Sequence, residues 1–172
     1  MSVEIAYADR SMINAVLLDL RLADVEELHA SGVDFETLAD LIMRHRIFAF
    51  CAWNMEHGPI AVWGMVRRRN GVGAGFAFGT DHWGEALLPM LRQIRGFVLP
   101  HLVKAGYHRV EAAALAGRDD VARFMALIDA EPEGVLRDYG VNREDFVSYR
   151  WLADEHRITR TGHQAQDQYI SH

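Results

Sequence analysis

Three short apolar runs follow one another in the middle of this chain: IFAFCAW (47–53), PIAVWGMV (59–66) and AGFAFG (74–79). Each is rich in β-branched and aromatic residues and is the length of a strand. Only NMEHG (54–58) and RRRNGVG (67–73) separate them. Links this short, carrying glycine and asparagine, can join neighbouring strands only as hairpins, so the runs predict an antiparallel three-stranded meander. The rest of the chain must pack on that meander's two faces.

Residues 9–31 carry helical spacing in two pieces. Met12, Ala15, Val16 and Leu20 form one apolar stripe, and LADVEELHASG forms a second that stops at Gly32. Phe35, Leu38, Leu41 and Ile42 mark a third helix, so the N-terminal quarter reads as mainly helical. After the meander comes a helix over 84–99 with Leu87, Leu91, Ile94 and Val98 on one face and Pro89 near its first turn. A strand (108–115), a helix (119–129) and two strands near 133–139 and 145–151 follow. The apolar pattern ends at Leu152, which divides the chain into one domain (1–152) and a polar tail (153–172).

With 18 basic and 24 acidic residues the net charge is -6, which argues against broad attraction to nucleic acid or an anionic membrane. Arg67, Arg68 and Arg69 read as a solvated hairpin tip. Cys51 is the sole cysteine, and its apolar neighbours predict a buried strand residue, not a reactive thiol. No apolar stretch has the length of a signal or a membrane span, which predicts a cytoplasmic protein. The histidines show no metal-ligand spacing on one helix, so no metal is predicted. Gly71, Gly73 and Gly75 precede a strand and read as a flexible hairpin.

FGTDHWGEA (78–86) joins the meander to the helix. A turn of small residues ahead of a helix offers backbone N–H groups and the positive end of the helix dipole to an anion. With that turn, the element order over about residues 16–152 resembles the acyl-CoA N-acyltransferase (GNAT) superfamily, whose loop Q/R-x-x-G-x-G/A receives the pyrophosphate of acetyl-CoA. The resemblance implies an α+β fold with a mixed, mainly antiparallel sheet flanked by helices. It sets Gly84 and Ala86 on the small positions and makes Phe78, Gly79, Thr80, Asp81, Trp83, Gly84, Glu85 and Ala86 the cofactor-binding set. It also implies that the backbone near AGFAFGT pairs with the pantetheine arm as an added strand does. Asp81 departs from the pattern, standing where the family has Gln or Arg. Asp81 and Glu85 would oppose a phosphate, although acidic residues are also ordinary partners of a helix N-terminus.

EPEGVLRDYGVNREDFVSYRW (131–151) resembles the last two strands of the ribosomal-protein-acetylating branch, with Gly134, Arg137, Tyr139, Asp145 and Tyr149 at matching positions. In that branch the preceding helix carries a tyrosine that protonates the leaving thiolate. Here the register offers Met125. Acyl transfer to an amine needs a proton source and a base. Tyr139 is the candidate acid and Glu111 the candidate base; their plainer readings are an aromatic plug and a partner of Arg109.

LRLADVEELHASG, the strand end FGT and the helix MLRQIRGFV are similar to GNAT-like proteins of phages and prophages, including internal virion proteins of short-tailed phages. Together with Asp81 and Met125, this resemblance favours a structural or interaction role in a virion or its assembly, with a degenerate acetyl-CoA site. The partners implied are other virion or phage assembly proteins, contacted through the tail, and the location the host cytoplasm or the virion. The alternative is an active acetyl-CoA-dependent N-acetyltransferase acting on a protein N-terminus or small amine.

Overall fold

The computed structural model describes residues 2–153. Its elements, in order, are β1 (Glu4–Tyr7), α1 (Arg10–Leu18), α2 (Leu22–Ala30), α3 (Phe35–His45), β2 (Arg46–Asn54), β3 (Gly58–Arg69) and β4 (Val72–Gly79). There follow α4 (Trp83–Gln93), a π turn (Ile94–Val98), α5 (Leu99–Lys104), β5 (Arg109–Leu115), α6 (Asp119–Leu127), β6 (Glu131–Leu136) and β7 (Phe146–Leu152). One sheet holds all seven strands in the order β1-β2-β3-β4-β5-β7-β6. Every neighbouring pair is antiparallel except β4 and β5, so the expected α+β architecture with a mixed, mainly antiparallel sheet is the observed one.

Strand alternation sends side chains to two faces. On one face Ala49, Cys51, Val62 and Phe78 bury against Ile13 and Val16 of α1 and Ala39 and Ile42 of α3. On the other, Phe50, Ala52, Trp63 and Met65 bury against Ala86 and Met90 of α4, then Ile94, Val98 and Leu102. Caps fix where the first and third helices begin: Asp9 accepts from the Met12 N–H at 2.9 Å and Asp34 from the Glu36 N–H at 3.0 Å. Gly64 lets β2 approach β3 at this point, because a Cβ there would sit 2.5 Å from the Phe48 carbonyl oxygen.

Four features differ from the sequence reading. The N-terminal quarter also contains β1, which covers the outer edge of β2 and stacks Tyr7 on Phe50 at 4.8 Å. The helix read as 84–99 continues to Lys104 through the π turn. Ile94, Val98 and Leu102 are spaced by four, and the wider turn keeps that spacing on one buried face. The β6 strand spans 131–136 instead of 133–139, since Asp145 accepts from Arg137 at 2.6 Å and from the Asp138 N–H at 3.0 Å, turning the chain there. Ala153, assigned by sequence to the tail, is buried, and its N–H donates to the His108 carbonyl at 3.0 Å. The remainder of the tail, and the partner contacts expected of it, lies outside the described residues. Among those residues no helix is long and apolar enough to cross a membrane.

Candidate functional site

The site originates in a mismatch of strand pairing. β4 pairs with β3 along its whole length to Gly79, but with β5 only at Val72–Ala74. Beyond Ala74 the two parallel strands part, and the sheet opens. A cavity of about 610 Å³ passes through the gap. Phe76 and Phe78 line it on the α1/α3 face, and Ala77, Trp83, Phe124 and Met125 on the α4/α6 face. Trp63 also lines it, and its buried indole N–H has no hydrogen-bond partner. A buried donor left over by the fold is one that a bound molecule can satisfy.

Where β4 has lost its neighbour, the α1–α2 connection covers part of its edge. The Arg21 N–H donates to the Gly79 carbonyl at 3.0 Å, and the Gly79 N–H donates to Asp24 at 2.8 Å. Across the gap, the Leu115 N–H of β5 donates to Glu27 at 3.0 Å. Asp24 and Glu27 are thus fixed to opposite lips of the opening. Arg118 ties them together, lying 3.0 Å from Asp24, 3.3 Å from Glu27 and 2.8 Å from Asp120. Arg21 completes the cluster with Asp24 at 2.8 Å and Asp120 at 3.3 Å, its guanidinium 4.5 Å from the centre of the Trp83 ring. By strand alternation the N–H and C=O of Ala77 share the outward direction of Gly79, and α2 leaves them uncovered.

Three carboxylates face two guanidiniums in this cluster, so a cationic ligand suits it better than an anionic one. The groups are not equivalent. Burial pushes the Glu27 carboxyl up from its ordinary value, more than its backbone hydrogen bond and Arg118 lower it. The Asp120 carboxyl is held down at about 2 by its hydrogen bond to Arg118. Tyr149 of β7 lines the same cavity, with its hydroxyl pushed up by burial and then by the charge of Glu27. A carboxylate that readily takes a proton and a phenol that holds one therefore share one apolar chamber.

At the mouth lies the turn before α4. Thr80 is buried, donates through its hydroxyl to the Ile60 carbonyl at 3.2 Å, and accepts from the His82 N–H at 3.2 Å. The Trp83 N–H donates to the Thr80 carbonyl at 3.0 Å and the Glu85 N–H to the His82 carbonyl at 2.9 Å. None of these bonds uses the Gly84 N–H. Gly84 is exposed and a Cβ built on it would meet nothing within 4 Å, so the first turn of α4 is open to an approaching anion. Asp81 is exposed as well. The Glu85 carboxylate is drawn sideways, accepting from Asn54 Nδ2 at 3.0 Å and lying 3.1 Å from His82 Nδ1.

The eight residues expected at the cofactor turn are contiguous in space, with Phe78 and Trp83 entering the cavity and Ala86 buried beneath the helix. The two residues expected to carry the chemistry are not with them. Tyr139 sits in the β6–β7 turn, 55% exposed, edge-on to Phe146, and does not line the cavity. Glu111 lies where β4 and β5 are still paired, bound to Arg109 at 2.7 Å, outside the cavity lining. Met125 does face the cavity, so α6 brings no tyrosine to it. Glu27 and Tyr149 were missed as a pair because they are distant in sequence. The signal available for Tyr149 was its match to the ribosomal-protein-acetylating branch; none was available for Glu27.

No protein-family model matches the chain, and no curated protein matches it by sequence. Solved structures do. The ribosomal-protein-S5-alanine acetyltransferase of Vibrio fischeri superposes with a TM-score of 0.64 at 16% identity, over 90% of this chain and 94% of its own. The ribosomal-protein-alanine N-acetyltransferase of Brucella melitensis gives 0.64 at 14% identity, over 87% of this chain and 99% of its own. A Salmonella typhimurium protein described as an acetyltransferase, solved with acetyl-CoA, gives 0.64 at 10% identity, over 90% of this chain and 96% of its own. At these identities the likeness establishes the fold: the chain folds as the GNAT acetyltransferases do.

Proposed function

We propose that the protein is an acetyl-CoA-dependent N-acetyltransferase whose acceptor is a protonated amine, either a protein N-terminus or a small amine. One observation carries the reading: the cavity through the β4–β5 gap connects the region beside the open turn of α4 with a chamber holding Glu27 and Tyr149. Phosphate at the Gly84 turn, an apolar arm beside Ala77 and a reacting centre in the gap fit those three places.

The bound thioester supplies an activated acyl group. The chain's residues do the rest. The uncovered Ala77 N–H and C=O orient an amide-bearing arm as a neighbouring strand would. Three carboxylates against two guanidiniums attract an ammonium ion, and Glu27, whose proton affinity burial raises, takes the proton that must leave before nitrogen can attack. Tyr149 donates a proton to the departing thiolate. The apolar lining excludes water, which limits hydrolysis of the thioester.

Saturating acetyl-CoA at about a hundred times its Kd would stabilise the fold by about 2.7 kcal/mol, a rise in Tm of roughly 5–10 °C. Gly84→Trp fills open space without a clash in the free protein and should abolish that rise. Mass spectrometry of a panel of amines and N-terminal peptides should show acetylation that this variant loses. Wild type unchanged in Tm and silent by calorimetry at millimolar acetyl-CoA would refute the reading. Stabilisation without any acetylated product would leave a CoA-binding protein without turnover.

A further inference from the structure

Beside the α4 turn, two histidines from separate elements converge on one carboxylate oxygen. His57 comes from the β2–β3 hairpin, while His82 and Glu85 come from the start of α4 at a spacing of three. The imidazole rings lie face to face, with centroids 3.6 Å apart and planes within 12°, so one ring must turn about its side-chain torsions before both nitrogens aim a lone pair at a common ion. Oε1 of Glu85 lies 3.1 Å from His82 Nδ1 and 3.6 Å from His57 Nε2. All three candidate ligand atoms fall within 4.8 Å of one another. Donors about 2.05 Å from a tetrahedral centre are separated by about 3.3 Å, a value bracketed by the two Glu85–histidine spacings; the histidine nitrogens, within 4.8 Å of each other, close to it when a ring turns.

The surroundings hold these groups in place. Asn54 Nδ2 donates to the other oxygen of Glu85 at 3.0 Å, which turns Oε1 towards the histidines. Asn54 Oδ1 in turn accepts from the Glu56 N–H at 3.0 Å and the His57 N–H at 2.8 Å, which fixes the hairpin that carries His57. An asparagine that orients a ligating carboxylate and positions a ligating histidine is the kind of outer support that metal sites use. The site is half-exposed, so an ion can enter from solvent and keep water on its remaining positions.

We propose that His57, His82 and Glu85 form a binding site for a divalent transition-metal ion. Two imidazoles and one carboxylate suit zinc, cobalt or nickel, whereas magnesium and calcium prefer oxygen ligands alone. The sequence hides the site because the hairpin and the helix meet only after β2 and β3 have paired. A bound dication exceeds the charge of Glu85, so the neighbouring turn becomes attractive to phosphate although Asp81 stands at its start. That last consequence rests on the acetyltransferase reading; the metal site does not.

The test is titration of the chelator-stripped full chain with Co²⁺, read by its visible ligand-field absorption, and with Zn²⁺, read by calorimetry and Tm, in the absence of any CoA. One saturable site should appear, and Glu85→Gln and His57→Gln should each weaken it at least tenfold while leaving the Tm of the metal-free protein within a few degrees of wild type. Wild-type binding retained by both variants would place the ion on other histidines and overturn the proposal, as would no saturable binding. A separate calorimetric titration with acetyl-CoA, with and without Zn²⁺, reads the assistance to phosphate: unchanged affinity leaves the site standing and overturns that consequence alone.

Discussion

Asp24→Ala is the sharpest test of how the opened sheet is held. The Asp24 side chain is only 5% exposed and serves three donors at once: Arg21 at 2.8 Å, Arg118 at 3.0 Å and the Gly79 N–H at 2.8 Å. Truncation strands a buried backbone N–H, at about 1–3 kcal/mol. Removing one partner of a buried ion pair costs about 3–5 kcal/mol when the other charge is left alone. Arg118 is not left alone, since it keeps Asp120 at 2.8 Å and Glu27 at 3.3 Å, and Arg21 keeps Asp120. The ion-pair cost is therefore largely avoided, and the expected loss is about 3 kcal/mol, the upper end of the stranded-donor cost alone, which for a chain of this size lowers Tm by roughly 6–12 °C. Urea denaturation with a shared m-value measures the loss directly. Asp120→Ala is the comparison: its side chain is 45% exposed, so its removal should cost less than about 1 kcal/mol. A loss under about 1 kcal/mol for Asp24→Ala, or equal losses for the two variants, would refute the claim that Asp24 fastens α2 to the free edge of β4.

Two further variants probe the chamber and the core. Burial raises the folded pKa of Glu27 above its unfolded value, so its contribution to stability is full below the unfolded pKa and is lost as pH rises through the folded one. Glu27→Gln should therefore leave Tm at pH 7 equal to or above wild type while cutting amine acetylation by about 10²–10⁴-fold; a fall in both together would mark a purely structural residue. Gly64→Ala should lose about 1–3 kcal/mol in urea denaturation, because the added Cβ falls 2.5 Å from the Phe48 carbonyl oxygen and 2.6 Å from the Phe76 ring. Gly84→Ala, with open space around it, provides the neutral comparison.

The meander was legible because its information is local. Runs of strand length joined by glycine-bearing links leave antiparallel pairing as the one arrangement, and β2, β3 and β4 realise it. The turn 78–86 was legible for the same reason, since a small-residue turn and the helix behind it are contiguous in sequence. Cys51 followed from its neighbours: it is fully buried, and burial pushes its thiol up to about 12. β1 was not legible, because four residues with mixed exposure carry little periodicity and become a strand only when the edge of β2 is there to pair with.

Which polar side chains meet depends on how the segments pack. Tyr139 and Glu111 sit in segments with the right resemblance, but the β6–β7 turn carries the first out of the cavity, and the last paired rung of β4 and β5 holds the second against Arg109. Glu27 and Tyr149 come together because β4 and β5 part after Ala74 and α2 settles over the gap. His57 reaches His82 because the β2–β3 hairpin ends beside the first turn of α4. Sequence alone determined the meander, the places of most helices and the small-residue turn ahead of α4, through hydrophobic period and turn chemistry acting over a few residues. The tertiary structure determined the chamber and the three-ligand cluster, because both depend on distances between segments that the chain's local patterns do not encode.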